Sequence, residues 1–132
     1  MDMKVSDALC PCDTGLPYAS CCGRWHRGLQ YLQAPDAPSL MRSRYSAFVL
    51  GLTDYLLETW HPSTRPAELE PDPPGLKWLG LQVRTSRQDA ADEAFVEFVA
   101  RTRLNGKAQR LHELSRFVNE QGRWFYVDGE FR

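Results

Sequence analysis

The sequence predicts an α+β fold: an N-terminal zinc knuckle followed by helices packed on one face of a curved antiparallel sheet. Three observations predict it. All four cysteines of the 132-residue chain, Cys10, Cys12, Cys21 and Cys22, fall within thirteen consecutive residues. Apolar residues then recur at helical spacing between Leu40 and Trp60. From Trp78 onward they alternate instead, in runs separated by turn dipeptides. Helices followed by a meander of long strands belong to the class in which helices segregate to one face of an antiparallel sheet.

The knuckle comes first. In extended chain, residues i and i+2 point to the same side, so Cys10 and Cys12 can present both sulfurs to one point, with Pro11 stiffening the link. Thr14-Gly15 and Leu16-Pro17 favour a reversal of the chain. Cys21 and Cys22 then close the site, and Gly23 frees the backbone behind them. Adjacent residues ordinarily diverge, so this pair needs a local turn or a helix start. Four thiolates at ~2.3 Å from one ion make a structural zinc site with no open coordination position for catalysis. Disulfides and unmetallated thiols are the alternatives, and His26 is a second candidate for the fourth ligand in place of Cys22. No CxxC spacing points to redox work. Lys4, Arg24 and Arg27 flank the cluster and offset its negative charge.

The zinc-binding segment is assigned to residues 1–27 and the α+β domain to residues 28–132. Residues 24–38 look like a linker whose Trp25, Leu29, Tyr31 and Leu32 pack on the body. Ser39 is the expected N-cap of a first helix carrying Leu40, Met41, Arg44, Tyr45, Phe48, Val49 and Leu52. Thr53 is the expected cap of a second, with Tyr55, Leu56, Leu57 and Trp60, which His61-Pro62 ends. Pro62, Pro66, Pro71, Pro73 and Pro74 then impose a loop, with one helical turn expected near residues 67–70.

Strands follow. In Trp78–Arg84 the alternation puts Leu79, Leu81 and Val83 on one side. Residues 88–92 turn into a strand over Phe95–Arg101. Asn105-Gly106 is a hairpin turn, since both residues tolerate positive φ. Arg110–Val118 is the third strand, and Gln121-Gly122 turns into Arg123–Val127.

The formal net charge of −1 gives no reason to expect nucleic-acid binding by the chain as a whole. Arg24, Trp25, His26 and Arg27 form a local basic–aromatic cluster, read here as neutralising the thiolates and docking the knuckle. No apolar run approaches the roughly 20 residues needed to cross a membrane. The start, Met1 to Asp7, lacks the apolar stretch of a secretory signal, so the expected compartment is the cytoplasm, where thiols stay reduced.

The run from Cys10 to Gly23 resembles the SEC-C motif, the zinc knuckle at the C-terminus of the SecA translocation ATPase, where it contacts the SecB chaperone and ribosomes. Here Tyr18-Ala19-Ser20 stand where that motif commonly carries lysines. The order of the remaining elements resembles the cystatin-like cone of the nuclear-transport-factor-like superfamily. Nearly the whole chain resembles the YchJ-like family of uncharacterised bacterial proteins. The resemblance is carried by Met41–Val49, Tyr55–Leu57, Thr59–Pro62, Trp78–Leu81, Phe95–Arg101, Glu113 with Ser115–Phe117, and Trp124, Tyr126 and Asp128-Gly129. It implies the fold and leaves the activity open.

Cone folds often hold a pocket between sheet and helices, and the candidate ligand-binding residues are Arg44, His61, His112, Glu113 and Arg116. Arg44 lies on the apolar stripe of the first helix, where an unpaired charge is costly. Glu113 or Glu97 is its expected partner, in an ion pair or beside a bound anion. His61 and His112 titrate near neutrality and are the groups available for acid–base work. His112 and Glu113 alternate onto opposite faces, so they cannot form an adjacent dyad. The expectation is a binding or adaptor module that uses the knuckle for a protein partner and the cone for a small ligand. The alternative is a pocket enzyme, a hydrolase, isomerase or dehydratase, using His61 or His112 with a carboxylate. The sequence leaves open whether the cone interior is a cavity or filled by side chains.

Overall fold

The computed structural model describes residues 8–132, so Lys4 and the segment from Met1 to Asp7 lie outside the account that follows. A 3-10 turn at Tyr18–Ser20 and a one-turn helix α1, Gly23–His26, complete the cysteine segment. Helices α2, Ala37–Leu50, and α3, Thr53–Glu58, come next. Four strands follow, β1 Lys77–Ala90, β2 Glu93–Leu104, β3 Lys107–Glu120 and β4 Arg123–Phe131. They form one antiparallel meander in the order β1-β2-β3-β4, and α2 packs on β1, β2 and β4. Among the described residues no helix is long and apolar enough to cross a membrane.

Asp36, not Ser39, caps α2: its Oδ1 accepts a hydrogen bond from the Ser39 N–H at 2.8 Å, and Pro38 occupies the first turn, where no N–H is needed. Helix α3 has Leu52 at its cap position and no side-chain cap, so Thr53 lies inside the helix. The turn expected near residues 67–70 is not helical. The expected linker instead contains α1, with Trp25 and His26 buried, whereas Leu29 is fully exposed and packs on nothing.

The hairpins run longer than the apolar alternation. Ala91-Asp92 alone forms the first turn, and the ladder continues through Gln88 opposite Ala94. The end of β1 is exposed and carries no hydrophobic pattern; it is extended by pairing with β2 and by Arg87 lying over the Phe95 ring. Asn105 and Gly106 adopt φ of 52° and 79°, as the hairpin turn requires. The strand β1 departs from simple alternation. The register shifts between Trp78 and Gly80, which leaves Leu79 bulged and exposed while Trp78, Leu81 and Val83 oppose Thr102, Ala100 and Phe98. The bulge therefore substitutes Trp78 for Leu79 on the inner face.

Helix α2 is buried on two sides. Leu40, Met41, Arg44 and Tyr45 face the sheet side, and Ser43, Ser46 and Ala47 are also buried. Ser43 Oγ lies 2.7 Å from both the Leu40 carbonyl and the Tyr55 hydroxyl, and Ser46 Oγ lies 3.5 Å from Cys10 Sγ. The cysteine segment thus packs on α2 at Arg42 and Ser46 and reaches the edge strand β1 at Leu81, and its cysteines join the same core as Phe98, Phe117 and Trp124.

Candidate metal centre and adjoining cavity

The four cysteine sulfurs lie within 4.8 Å of one another, and all four side chains are buried. None forms a disulfide. Sulfurs bound tetrahedrally at ~2.3 Å from one ion stand ~3.8 Å apart, and Cys12 Sγ and Cys21 Sγ are 3.5 Å apart. The donor set therefore fits a single metal ion. Thr14 Oγ1 lies 3.2 Å from Cys21 Sγ and 3.7 Å from Cys12 Sγ, close enough to orient them. Crowded thiols titrate together: hydrogen bonds from Cys12 and Cys22 pull Cys10 far below the ordinary thiol value, and the same contacts push Cys12 and Cys22 up. A divalent ion removes the conflict by stabilising every thiolate.

His26 is not part of this set. Its Nε2 lies 2.8 Å from the Ser43 carbonyl and must donate to it, so Nδ1 accepts from the Tyr18 hydroxyl at 2.5 Å. Burial lowers its pKa and favours the neutral ring this pattern needs. His26→Ala is expected to lose about 2–3 kcal/mol in urea unfolding while metal content per chain stays unchanged. Loss of the metal in that variant would return His26 to the ligand set. Further links tie the segment down: Arg42 Nη1 donates to the Cys12 carbonyl at 3.0 Å, and Asp13 Oδ2 accepts from the Leu81 N–H at 3.1 Å. At Gly80 a Cβ would stand 2.7 Å from that Asp13 oxygen, so a larger residue there would make the Asp13 side chain shift from its bond to Leu81.

Between α2 and the concave face of the sheet lies a cavity of about 820 Å³. Strand parity builds its floor: Phe98, Ala100, Thr102 and Leu104 from β2, and Gln109, Leu111, Glu113, Ser115 and Phe117 from β3. Met41, Arg44, Tyr45 and Phe48 of α2 form its roof, with Trp60, Trp78 and Tyr126 at the sides. The cone interior is therefore open.

Arg44 is 5% exposed at the deep end. Its Nη1 donates to the Leu56 carbonyl at 2.8 Å and to Thr59 Oγ1 at 2.6 Å, so the C-terminal end of α3 holds it. The guanidinium carbon lies 5.1 Å from the Trp60 ring centre and 4.6 Å from that of Tyr126. Burial lowers its pKa to about 10, which leaves it charged at neutral pH. The expected carboxylate partner is absent: among the described residues Arg44 forms no ion pair. Glu97 is instead 2.7 Å from His112, and Glu113 Oε1 accepts from the Tyr126 hydroxyl at 3.3 Å. Carbonyls and ring faces stabilise the buried cation in place of a carboxylate.

Burial pushes the Glu113 carboxyl above its usual value, against the opposing pull of Tyr126, Ser115 and Arg44, with Asp128 adding to the rise. A carboxyl raised in the folded state binds more protons there than in the unfolded chain. Stability therefore falls as pH rises from the usual 4.5 through the folded value. Glu113→Gln is expected to remove that fall. Relative to the unmodified chain it gains stability between about pH 4 and about pH 7 in urea unfolding. An unchanged difference between the two pH values counts against a buried acid at this position.

The structure thus brings Arg44 and Glu113 to one cavity and places the other candidates elsewhere. His112 lies on the convex face with Glu97, and Arg116 sits there between Glu93 at 3.6 Å and Asp128 at 3.3 Å. His61 pairs with Glu120 at 2.9 Å beside Phe125. Sequence reasoning missed Ser43, Ser46 and Thr59. Ser43, Ser46 and Ala47 recur at helical spacing beside the apolar stripe, and that row of small residues was the available signal.

Residues 36–129 match the family model described as YchJ, middle NTF2-like domain, and residues 8–24 match the SEC-C motif. A UPF0225 protein from Bordetella parapertussis is 64% identical over 127 residues, 96% of each chain. Another from Chromobacterium violaceum is 54% identical over 96% of this chain and 95% of its own. The solution structure of a SEC-C motif containing protein from Rhodopseudomonas palustris superposes with a TM-score of 0.80 at 34% identity, over 93% of this chain and 98% of that one. The crystal structure of a SEC-C motif containing protein from Psychrobacter arcticus gives 0.79 at 32% identity, over 96% and 84%.

Proposed function

Because the chain belongs to the UPF0225 family, with a SEC-C motif and a YchJ-type NTF2-like domain, we propose that it is a cytoplasmic zinc-stapled binding protein that takes a small ligand in its cone. The observation that carries this reading is the open cavity of about 820 Å³, walled by apolar and aromatic side chains and holding one buried cation. Its size and lining suit a small organic molecule. Four soft thiolates converging on one point favour zinc, which in a closed four-sulfur site supplies cross-linking and no catalysis. Cys10, Cys12, Cys21 and Cys22 would hold it. The knuckle docks on its own body through Cys10, Asp13 and His26, which leaves Leu9 and Leu16 as the large apolar residues it presents to a protein partner.

The pocket-enzyme reading called for a histidine beside a carboxylate in the cavity. The two such pairs, His61 with Glu120 and His112 with Glu97, lie outside its lining. The binding reading is tested with N-phenyl-1-naphthylamine, a neutral fluorescent probe, on protein purified under reducing conditions and assayed for zinc. One zinc per chain and probe binding that Ala100→Phe abolishes are expected. A probe that binds the variant equally well sits outside the cone, and that result refutes the reading.

A further inference from the structure

We propose that the occupant of this cavity is a small organic monocarboxylate whose carboxylate seats on Arg44 and whose aromatic or branched apolar body fills the space toward the hairpin end. The inference rests on the cavity-binding reading above and adds the chemistry and orientation of the ligand. Arg44 is almost wholly buried, yet only its Nη1 is bonded among the described residues. Among the described residues no hydrogen bond joins its Nε or Nη2 to the protein, and neither is a fully buried unpartnered atom, while the residue lines the cavity. Those two donors form the side-on fork of a guanidinium, which matches a planar carboxylate with two parallel hydrogen bonds.

One buried cation without an ion-paired partner matches one negative charge. A phosphate dianion would bring a second charge to the deep end, where Arg44 is the one buried cation of the lining. Glu113 also lines the cavity, where its Oε1 accepts from the Tyr126 hydroxyl and burial raises its carboxyl above the usual value. Beyond the seat the walls are Met41, Phe48, Trp78, Phe98 and Ala100, which suit an apolar body.

Basic residues gather on the strands at the far end. Lys77 opposes Arg103 and Arg101 opposes Arg110 across the strands, with Lys107 at the next turn. Like charges set opposite each other destabilise a sheet, and none of the five is in an ion pair among the described residues. Of these five only Arg110 belongs to the cavity lining; Arg101 and Arg103 alternate with Ala100, Thr102 and Leu104 and so stand on the outer face of the sheet.

The test is calorimetric titration of the zinc-loaded full chain with benzoate, 2-naphthoate, 4-biphenylcarboxylate and octanoate, each against its primary amide, and with phenyl phosphate. At least one acid is expected to bind about tenfold or more tightly than its amide. That preference is expected to vanish in Arg44→Met, and all binding in Ala100→Phe. The acid-to-amide ratio in the unmodified protein decides the matter even if Arg44→Met fails to fold. Equal binding of acids and amides overturns the carboxylate seat and leaves the cavity reading intact. Tighter binding of phenyl phosphate than of benzoate overturns the choice of a monocarboxylate. If acids, amides and N-phenyl-1-naphthylamine all fail to bind, the cavity reading falls and takes this inference with it.

Discussion

On the zinc-stapled reading proposed above, a Cys12→Ser chain is expected to lose the metal and to melt more than about 10 °C below the unmodified protein. Cys12 is wholly buried, and its sulfur sits 3.5 Å from Cys21 at the centre of the cluster. The segment around it holds only a 3-10 turn and a one-turn helix, too little regular structure to stand alone. A metal held by the four sulfurs would supply the missing free energy, on the order of 10 kcal/mol for structural zinc sites in small peptides. Losing the ion would also uncover Ser46 on α2 and break the Asp13 link to Leu81. A loss above about 4 kcal/mol follows for a chain of this size, and each kcal/mol is worth a few degrees. Differential scanning calorimetry with atomic emission analysis checks it, and chelator-treated wild type should melt with the variant. A melting point within about 2 °C of the untreated protein would leave the four sulfurs without a structural role.

Phe117→Ala is expected to cost about 3–5 kcal/mol in urea unfolding while leaving zinc content untouched. Phe117 is 1% exposed, meets the Tyr126 ring edge-on at 5.8 Å and forms part of the cavity floor. Truncation opens a void that merges with a space already vacant, so neighbouring side chains gain no new surface by collapsing into it. The bonds that tie the knuckle down go to α2 and β1, not to β3, which carries Phe117, and distant sites contribute independently. A cost below about 2 kcal/mol, or loss of the metal, would mean that body and knuckle are not the separable layers described above.

The metal site was legible because its determinants are local. Four cysteines, a turn and a short loop sit within one stretch of chain, so local geometry brings the sulfurs within 4.8 Å of one another. The strands were legible in their buried halves, where alternation records which side faces the core. It failed at Leu79, because a bulge inserts one residue and moves the next side chain to the other face. It also fell short at the end of β1, where no burial pattern exists to be read.

Residue chemistry by itself determined the four-cysteine knuckle, the two helices, the meander and the cost of a charge at Arg44. Only the folded structure decided that His26 locks to Ser43, that Glu97 goes to His112, and that the cone is hollow. Those pairings join residues 17 and 15 positions apart, which meet through helix packing and strand register. Spacing along the chain describes what each residue needs. Which distant group supplies it is settled by three-dimensional closure, where every buried donor and charge competes for the same few acceptors.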